Sequence, residues 1–214
     1  FMAHSEVDMS LISAAYRAIR PMLPWRPVII DGLTFTRRFK IIDTPAQDYE
    51  SATRRFMRRY LDEDDHLLVC GGGTGVTALT AAQHIQHVTA VEADREVIDR
   101  LLEHISINDV RNISVFNGWI GHPSDAEKPF NVDAVHLDRF DGVTAAEIDL
   151  EGNCLQVINM LPDTVETLFY ETHPTMGVGA ELALHHLNAA GFDVIDRGIE
   201  WEKTGGEILV GYRS

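Results

Sequence analysis

The sequence predicts an α/β fold with a mostly parallel central sheet and helices on both faces. From residue 67 onward, short apolar runs typical of buried strands alternate with segments whose apolar residues recur at helical spacing. Such alternation requires crossover connections, which cover both faces of a parallel sheet. Phe192–Asp196 and Ile208–Tyr212 are strand-like and joined through Gly205-Gly206, which predicts a closing antiparallel hairpin. The expected architecture is a Rossmann-like sheet with an antiparallel C-terminal hairpin.

A glycine-rich loop follows the first of these strands. An apolar run from Leu67 enters Gly71-Gly72-Gly73-Thr74-Gly75, and a second apolar run ends at Glu92. Glycines at every second position allow a sharp turn and close approach of a ligand, and the next helix offers N–H groups. Glu92, at the end of the second strand, is placed to bind ribose hydroxyls. The segment predicts a nucleotide-cofactor pocket, although a glycine pattern also occurs in plain strand-to-helix turns.

The loop by itself does not identify the cofactor. A dinucleotide-binding loop has the pattern G-x-G-x-x-G, and here Val76 or Ala78 stands at the position of the last glycine, depending on which glycine begins the pattern. The order of segments after Glu92 resembles that of class I methyltransferases, which use S-adenosylmethionine. In those enzymes the glycine loop holds the methionine portion, the acid after strand two holds the ribose, and the segment after strand three borders the adenine. The resemblance implies that these residues bind the cofactor: Gly71, Gly73, Thr74, Gly75, Glu92, Ala93, Asn117 and Gly118.

Later segments resemble the FkbM-type methyltransferases. Ile148-Asp149-Leu150-Glu151-Gly152 is similar to that family's Ile-Asp-Val-Glu-Gly segment, and Phe169-Tyr170-Glu171-Thr172-His173-Pro174 is similar to its Glu-x-His segment. Asp48-Tyr49-Glu50 also fits, so the resemblance covers about residues 48 to 213. It implies O-methylation of a hydroxyl on a sugar or other small molecule. Val69 departs from the family where an acid is usual, and Glu147 departs where a lysine is usual.

The candidate catalytic residues lie at the carboxyl ends of the predicted strands. Ligands of open parallel sheets bind outside these ends, so we expect Asp149, Glu171 and His173 to converge near Glu92. His173 is the candidate base because an imidazole titrates near neutral pH. Asp149 and Glu151 are expected to orient the acceptor or, in an alternative left open, to hold a divalent metal with Glu171 through oxygen ligands.

The register of strand four is ambiguous in the sequence. Val132–Asp138 has the better strand propensity, whereas Thr144–Glu147 also fits a helix-capping box. In that alternative Asp138 lies at the cleft instead of Asp149. We favour Asp149, because a helix through Glu151-Gly152-Asn153 would be poor and because the Asp-x-Glu-Gly resemblance is the more specific signal.

The charge of the chain is strongly acidic and unevenly distributed. Its net charge is −15, with only three lysines, which suits a high-salt cytoplasm and a halophilic source. Through Arg59 ten basic residues face six acidic ones, whereas the remainder has eight and 27. The acidic domain is expected to repel nucleic-acid backbones, so the predicted partner is a small-molecule acceptor and no nucleic acid. A basic helix face is expected to pair within the chain or, alternatively, to dock an anionic acceptor: Arg54, Arg55, Arg58 and Arg59.

The N-terminal part is predicted to be a small extension. Residues 9–20 fit an amphipathic helix, and Val28–Phe35 fits a hairpin with Asp31-Gly32 in its turn. We expect residues 1–47 to form a cap or a homo-oligomer contact and residues 48–214 to form the methyltransferase domain. Neither a membrane-length apolar run nor a secretory leader is evident, so a cytoplasmic protein without membrane contact is expected.

Two other functions stay open at this point. One is a nicotinamide-dependent oxidoreductase, since the glycine loop is shared between both cofactor classes. The other is a non-catalytic cofactor-binding or assembly protein, which the departures at Val69 and Glu147 make conceivable. The closing antiparallel hairpin favours the methyltransferase over the dehydrogenase sheet.

Overall fold

The computed structural model describes residues 25–38, 46–121, 132–150 and 154–214. The chain divides into two units, Phe1–Tyr49 and Glu50–Ser214. In the first unit, β1 (Trp25–Ile30) and β2 (Leu33–Arg38) form an antiparallel hairpin. Asp31 and Gly32 have φ angles of 49° and 81°, the left-handed values that an Asp-Gly hairpin turn requires. The predicted hairpin is confirmed, while the predicted helix over residues 9–20 lies outside the described residues.

The second unit is built on a seven-stranded sheet of order β5-β4-β3-β6-β7-β9-β8. Its first five strands are parallel, and the last two add an antiparallel hairpin at one edge. The predicted sheet and its closing hairpin are therefore confirmed. The strands are β3 (His66–Cys70), β4 (His87–Glu92), β5 (Ile113–Asn117), β6 (Ala145–Ile148), β7 (Thr167–Glu171), β8 (Asp193–Trp201) and β9 (Gly206–Tyr212).

Helices cover both faces of this sheet. Adjacent residues of β3, Leu67 and Leu68, are both fully buried, as expected when a parallel sheet is covered on two sides. Within the described residues, none of the helices has the length and apolar character needed to cross a membrane. The helices are α1 (Ser51–Tyr60), α2 (Val76–Ala82), α3 (Arg95–Ile107), α4 (Cys154–Ile158) and α5 (Ala180–Ala189).

The structure resolves the register of strand four. β6 lies between β3 and β7, with Ile148 opposite Cys70 on one side and Tyr170 on the other. All four residues of β6 are buried, so the central position in the sheet outweighs their modest strand propensity. The competing segment contributes an isolated bridge and a short 3₁₀ helix, and its Asp138 is exposed. Asp149 is therefore the residue that follows the strand.

The arginine row on α1 is split between the interior and the surface. Arg54 is 2% exposed, whereas the other three arginines are exposed. Arg59 forms an ion pair with Asp196 of β8 at 3.0 Å, and the Arg55 guanidinium lies 5.0 Å from the centre of the Phe56 ring. These contacts support the interpretation that the row pairs within the chain.

Candidate functional site

The glycine loop joins β3 to α2 through three residues with positive φ: 93° at Gly71, 49° at Gly73 and 89° at Gly75. A Cβ on Gly71 would lie 2.1 Å from the carbonyl oxygen of Asp149, and one on Gly75 would lie 2.2 Å from Leu101 Cδ1. These two glycines therefore permit close packing within the protein. A Cβ on Gly73 would meet nothing nearer than the Gly71 oxygen at 3.8 Å, so this position borders open space.

Glu92 connects the glycine loop to the loop that follows β4. Its Oε1 accepts hydrogen bonds from the backbone N–H groups of Ala93 and Asp94, at 2.7 and 2.9 Å. Its Oε2 accepts one from the Gly73 N–H at 3.0 Å. An ionised carboxylate offers about four lone-pair positions, so one on Oε2 remains for a ligand hydroxyl. The side chain thus holds the loop in shape and still suits a ribose contact.

Three other residues that were predicted to bind the cofactor take part in hydrogen bonds that fix the backbone of these loops. Asn117 Nδ2 donates to the carbonyl oxygens of Glu92 and Ala93, both at 3.1 Å. The Gly118 N–H donates to the Glu92 carbonyl at 2.9 Å, and a Cβ there would lie 2.0 Å from Val135 Cγ2. The Thr74 carbonyl accepts a hydrogen bond from His104 Nδ1 at 2.8 Å. Direct cofactor contact by Asn117, Gly118 and Thr74 stays a prediction.

Three candidate catalytic side chains meet at the ends of β6 and β7. Asp149 follows β6, Glu171 ends β7, and His173 lies two residues beyond. His173 Nε2 is 3.0 Å from Asp149 Oδ1, and one ligand atom from each of the three residues lies within 4.8 Å of the others. This spacing is compatible with proton exchange and with a divalent cation. Glu151, the fourth candidate, lies outside the described residues.

Glu171 is a buried carboxyl with an altered affinity for protons. It is 3% exposed, and Trp201 Nε1 donates a hydrogen bond to its Oε1 at 2.6 Å. Burial, followed by the nearby charge of Asp149, raises the pKa of Glu171 to about 8. The Trp201 hydrogen bond and His173 act in the opposite direction, and Glu50 adds a small increase. At neutral pH the carboxyl is therefore protonated and able to donate a hydrogen bond.

The sequence patterns indicate no role for Trp201. For Glu50 they indicate only that it belongs to the Asp48-Tyr49-Glu50 segment, which fits the FkbM resemblance. Trp201 lies on the edge strand β8 and donates its hydrogen bond to Glu171. The register of the β8–β9 pairing shifts beside Trp201, and such a shift changes the direction of the side chains. Glu50 precedes α1, and its Oε2 accepts a hydrogen bond from Thr77 Oγ1 of α2. Both residues come from outside the motifs around the strand ends, so local spacing carries no signal for them.

Solved structures of known methyltransferases share this architecture. TYW2 from M. jannaschii in complex with AdoMet (S-adenosylmethionine) aligns over 89% of this chain and 87% of its own, with a TM-score of 0.58 and 14% identity. The fold is that of a class I methyltransferase. The complex of aTrm5 with tRNALeu aligns over 87% of this chain with a TM-score of 0.59 and 14% identity, and this methyltransferase fold spans 51% of the aTrm5 chain.

No protein-family model matches the chain. The uncharacterized protein MJ1452 from Methanocaldococcus jannaschii is 34% identical over 93 residues, which are 42% of this chain. The matched part spans only 36% of that relative. The class I methyltransferase fold thus comes from the structures, while the FkbM subtype stays a prediction.

The prediction that nucleic acid is excluded as a partner is wrong. The same fold occurs in a methyltransferase bound to tRNALeu. The prediction rested on the net charge of −15, which is an average over the whole surface. Phosphate binding depends on where basic groups cluster, so an acidic total does not exclude it. A divalent metal, left open by the sequence, gains no support from these structures.

Proposed function

We propose that this chain is an S-adenosylmethionine-dependent methyltransferase that methylates a sugar hydroxyl. The observation that carries the proposal is the Asp149–His173 pair, at 3.0 Å, beside a glycine loop in a class I methyltransferase fold. A methyl transfer chiefly requires that donor and acceptor be aligned and that the acceptor lose a proton. In this proposal the glycine loop positions the donor, and the Asp149–His173 pair removes the proton from the acceptor.

The donor site is assigned to the glycine loop and to the acid at the end of β4. Gly73 borders open space, and Glu92 retains a lone-pair position after binding three backbone N–H groups. Both features fit a ligand with a ribose hydroxyl and a flexible chain along the loop. Bound S-adenosylmethionine supplies a methyl carbon on a sulfonium sulfur, which is the electrophile of the reaction.

The acceptor site is assigned to the three side chains at the ends of β6 and β7. The acceptor oxygen forms a bond to the methyl carbon while the carbon–sulfur bond breaks, leaving its electron pair on the sulfur of S-adenosylhomocysteine. The hydroxyl proton passes to the imidazole of His173, and Asp149 stabilises the resulting imidazolium at 3.0 Å. Protonated Glu171 donates a hydrogen bond that orients the acceptor.

The proposal of a sugar hydroxyl as the acceptor rests on a resemblance in the sequence. The segments at Asp149 and Glu171 resemble the FkbM type, which implies a hydroxyl on a sugar or other small molecule. A solved structure with the same fold contains tRNA, so a ribose hydroxyl of RNA belongs to the acceptors that the experiment must include. Both kinds of acceptor present a ribose-like hydroxyl. The labelling experiment described below distinguishes a small metabolite from RNA.

The donor half of the proposal is tested by calorimetry with S-adenosylhomocysteine and NAD. The wild-type chain is expected to bind the first and not the second. Glu92→Ala should weaken S-adenosylhomocysteine binding by about 1–3 kcal/mol, because it removes a charged hydrogen-bond acceptor. Binding of NAD alone would favour an oxidoreductase, and binding of neither would favour a non-catalytic protein.

The acceptor half is tested with methyl-labelled S-adenosylmethionine and separated cell fractions, one of bulk tRNA and one of small metabolites. His173→Ala and Asp149→Asn should reduce labelling by about 10²-fold or more while S-adenosylhomocysteine affinity is retained. Asp138→Asn is the matched control, since Asp138 is an exposed acid in the competing segment. Full activity of Asp149→Asn would remove Asp149 from the acceptor site.

A further inference from the structure

Trp201 connects the edge strand β8 to the proposed acceptor site. Its Nε1 donates a hydrogen bond to Oε1 of Glu171 at 2.6 Å, from a position 30 residues further along the chain. Glu171 is 3% exposed, and Trp201 is partly buried. A tryptophan in this place could simply fill space, so its role depends on what the hydrogen bond does to the Glu171 carboxyl.

The backbone around Trp201 is fixed on both sides of the residue. The preceding residue, Glu200, points into the start of α1, where its carboxylate accepts hydrogen bonds from Ala52 N at 3.2 Å, Thr53 N at 2.7 Å and Thr53 Oγ1 at 2.8 Å. The carbonyl oxygen of Trp201 accepts a hydrogen bond from the Gly205 N–H at 2.9 Å, in the turn that leads to β9. The fold itself therefore holds the indole beside Glu171.

The hydrogen bond makes the two oxygens of the Glu171 carboxyl different. An indole N–H can only donate, so Oε1 is the acceptor in this contact. The carbonyl oxygen is the better acceptor of a neutral carboxyl, so the contact favours the arrangement in which the proton is on Oε2. One oxygen of Glu171 lies within 4.8 Å of ligand atoms of both Asp149 and His173. The carboxyl that Trp201 orients thus borders the pair proposed to take up the acceptor proton.

We infer that Trp201 is a positioning residue for methyl transfer, whose indole N–H fixes the Glu171 carboxyl so that Oε2 donates a hydrogen bond to the acceptor. This inference rests on the proposed function, in which neutral Glu171 orients the acceptor hydroxyl. A carboxyl without the indole contact could carry its proton on either oxygen, and the terminal torsion of a glutamate side chain is broad. Fewer molecules would then hold the acceptor in line with the methyl group, and such alignment contributes much of the rate of a displacement reaction.

The test is a double-mutant cycle between Trp201→Phe and Glu171→Met, measured on the full chain with methyl-labelled S-adenosylmethionine and the cell fraction that the wild type labels. Trp201→Phe keeps an aromatic ring and removes the N–H. It should lower kcat for labelling about tenfold and leave the Michaelis constant of S-adenosylmethionine unchanged. Glu171→Met removes the carboxyl with little change in volume and should lower kcat at least as much. In the Glu171→Met background, Trp201→Phe should lower kcat by less than about twofold, because the indole acts through Glu171.

The matched control is Tyr60→Phe. This substitution also removes an aromatic hydrogen-bond donor to a carboxylate, because Tyr60 Oη donates to Oδ2 of Asp196 on the same strand β8 at 2.7 Å. It should leave the labelling rate unchanged. Calorimetry with S-adenosylhomocysteine should give the wild-type affinity for the control, both single variants and the double variant, because none of these substitutions alters the donor site.

The same loss from Trp201→Phe in both backgrounds would overturn the inference, because it would indicate a structural role. A wild-type kcat in Trp201→Phe or in Glu171→Met would overturn it as well. Loss of S-adenosylhomocysteine affinity in Trp201→Phe would also count against it, since a residue that positions only the acceptor leaves donor binding intact. Failure of the wild-type chain to label either cell fraction is a different result, and it would overturn the proposed function together with this inference.

Discussion

Replacing Glu171 by glutamine should make the protein more stable at alkaline pH. The pKa of this carboxyl is raised from 4.5 to about 8, chiefly by burial and then by the charge of Asp149. A glutamine side chain at this position would be neutral at every pH and could still accept the hydrogen bond that Trp201 Nε1 now donates to Glu171 at 2.6 Å. The substitution therefore removes the ionisation and keeps the shape and the tryptophan contact.

The sign and size follow from proton linkage. The unfolded chain loses the Glu171 proton near pH 4.5, whereas the folded chain keeps it until about pH 8. Between these values the folded state binds more protons, so the free energy of unfolding falls as pH rises. Complete ionisation lowers it by up to about 5 kcal/mol, because the pKa rises from 4.5 to about 8. Above pH 8 this contribution changes no further.

Urea unfolding of the wild type and Glu171→Gln at pH 5, 7 and 9 measures this effect. The two proteins should be similar at pH 5, and the variant should be more stable by several kcal/mol at pH 9. The groups that face Glu171, namely Asp149, His173 and Glu50, are present in both proteins, so the difference between the profiles reports on Glu171. Glu63→Gln should follow the wild type. Parallel profiles for wild type and Glu171→Gln would refute the raised pKa and the proposed donor role of the neutral carboxyl.

Three further substitutions probe the surrounding structure. Trp201→Phe should extend the loss of stability to higher pH, because the tryptophan hydrogen bond lowers the pKa of Glu171 in the folded state; a profile that levels off at the same pH as the wild type would contradict this. Gly75→Ala should be less stable to urea than Gly205→Ala by about 1–3 kcal/mol, since both have positive φ but only the first Cβ meets Leu101, at 2.2 Å. The double substitution Arg55→Gln and Arg59→Gln should slightly lower the melting temperature, because it removes the ion pair with Asp196. It should leave the Michaelis constant of the acceptor unchanged. A several-fold rise in that constant with unchanged stability would instead make the arginine row a docking surface.

Local patterns in the sequence were sufficient for the order of the elements. Apolar periodicity predicted the alternation of strands and helices, and the Asp31-Gly32 pair predicted the turn of the N-terminal hairpin. The glycine spacing predicted a sharp turn after β3, where Gly71, Gly73 and Gly75 have positive φ. The hydrogen bond from the Gly73 N–H to Glu92 was not predicted. The predicted features depend on backbone conformation and on neighbours close in the chain, so a single sequence contains the information they need.

Only the tertiary structure decided the register of strand four and the state of the site. β6 is a strand because it lies between β3 and β7, a fact that its own residues do not encode. The pKa of Glu171 depends on burial, on Asp149 and on Trp201, which lies 30 residues away on another strand. Glu50 meets Thr77 only because α1 and α2 pack together. Burial and charge coupling are properties of residues brought together in space, so spacing along the chain could not predict them.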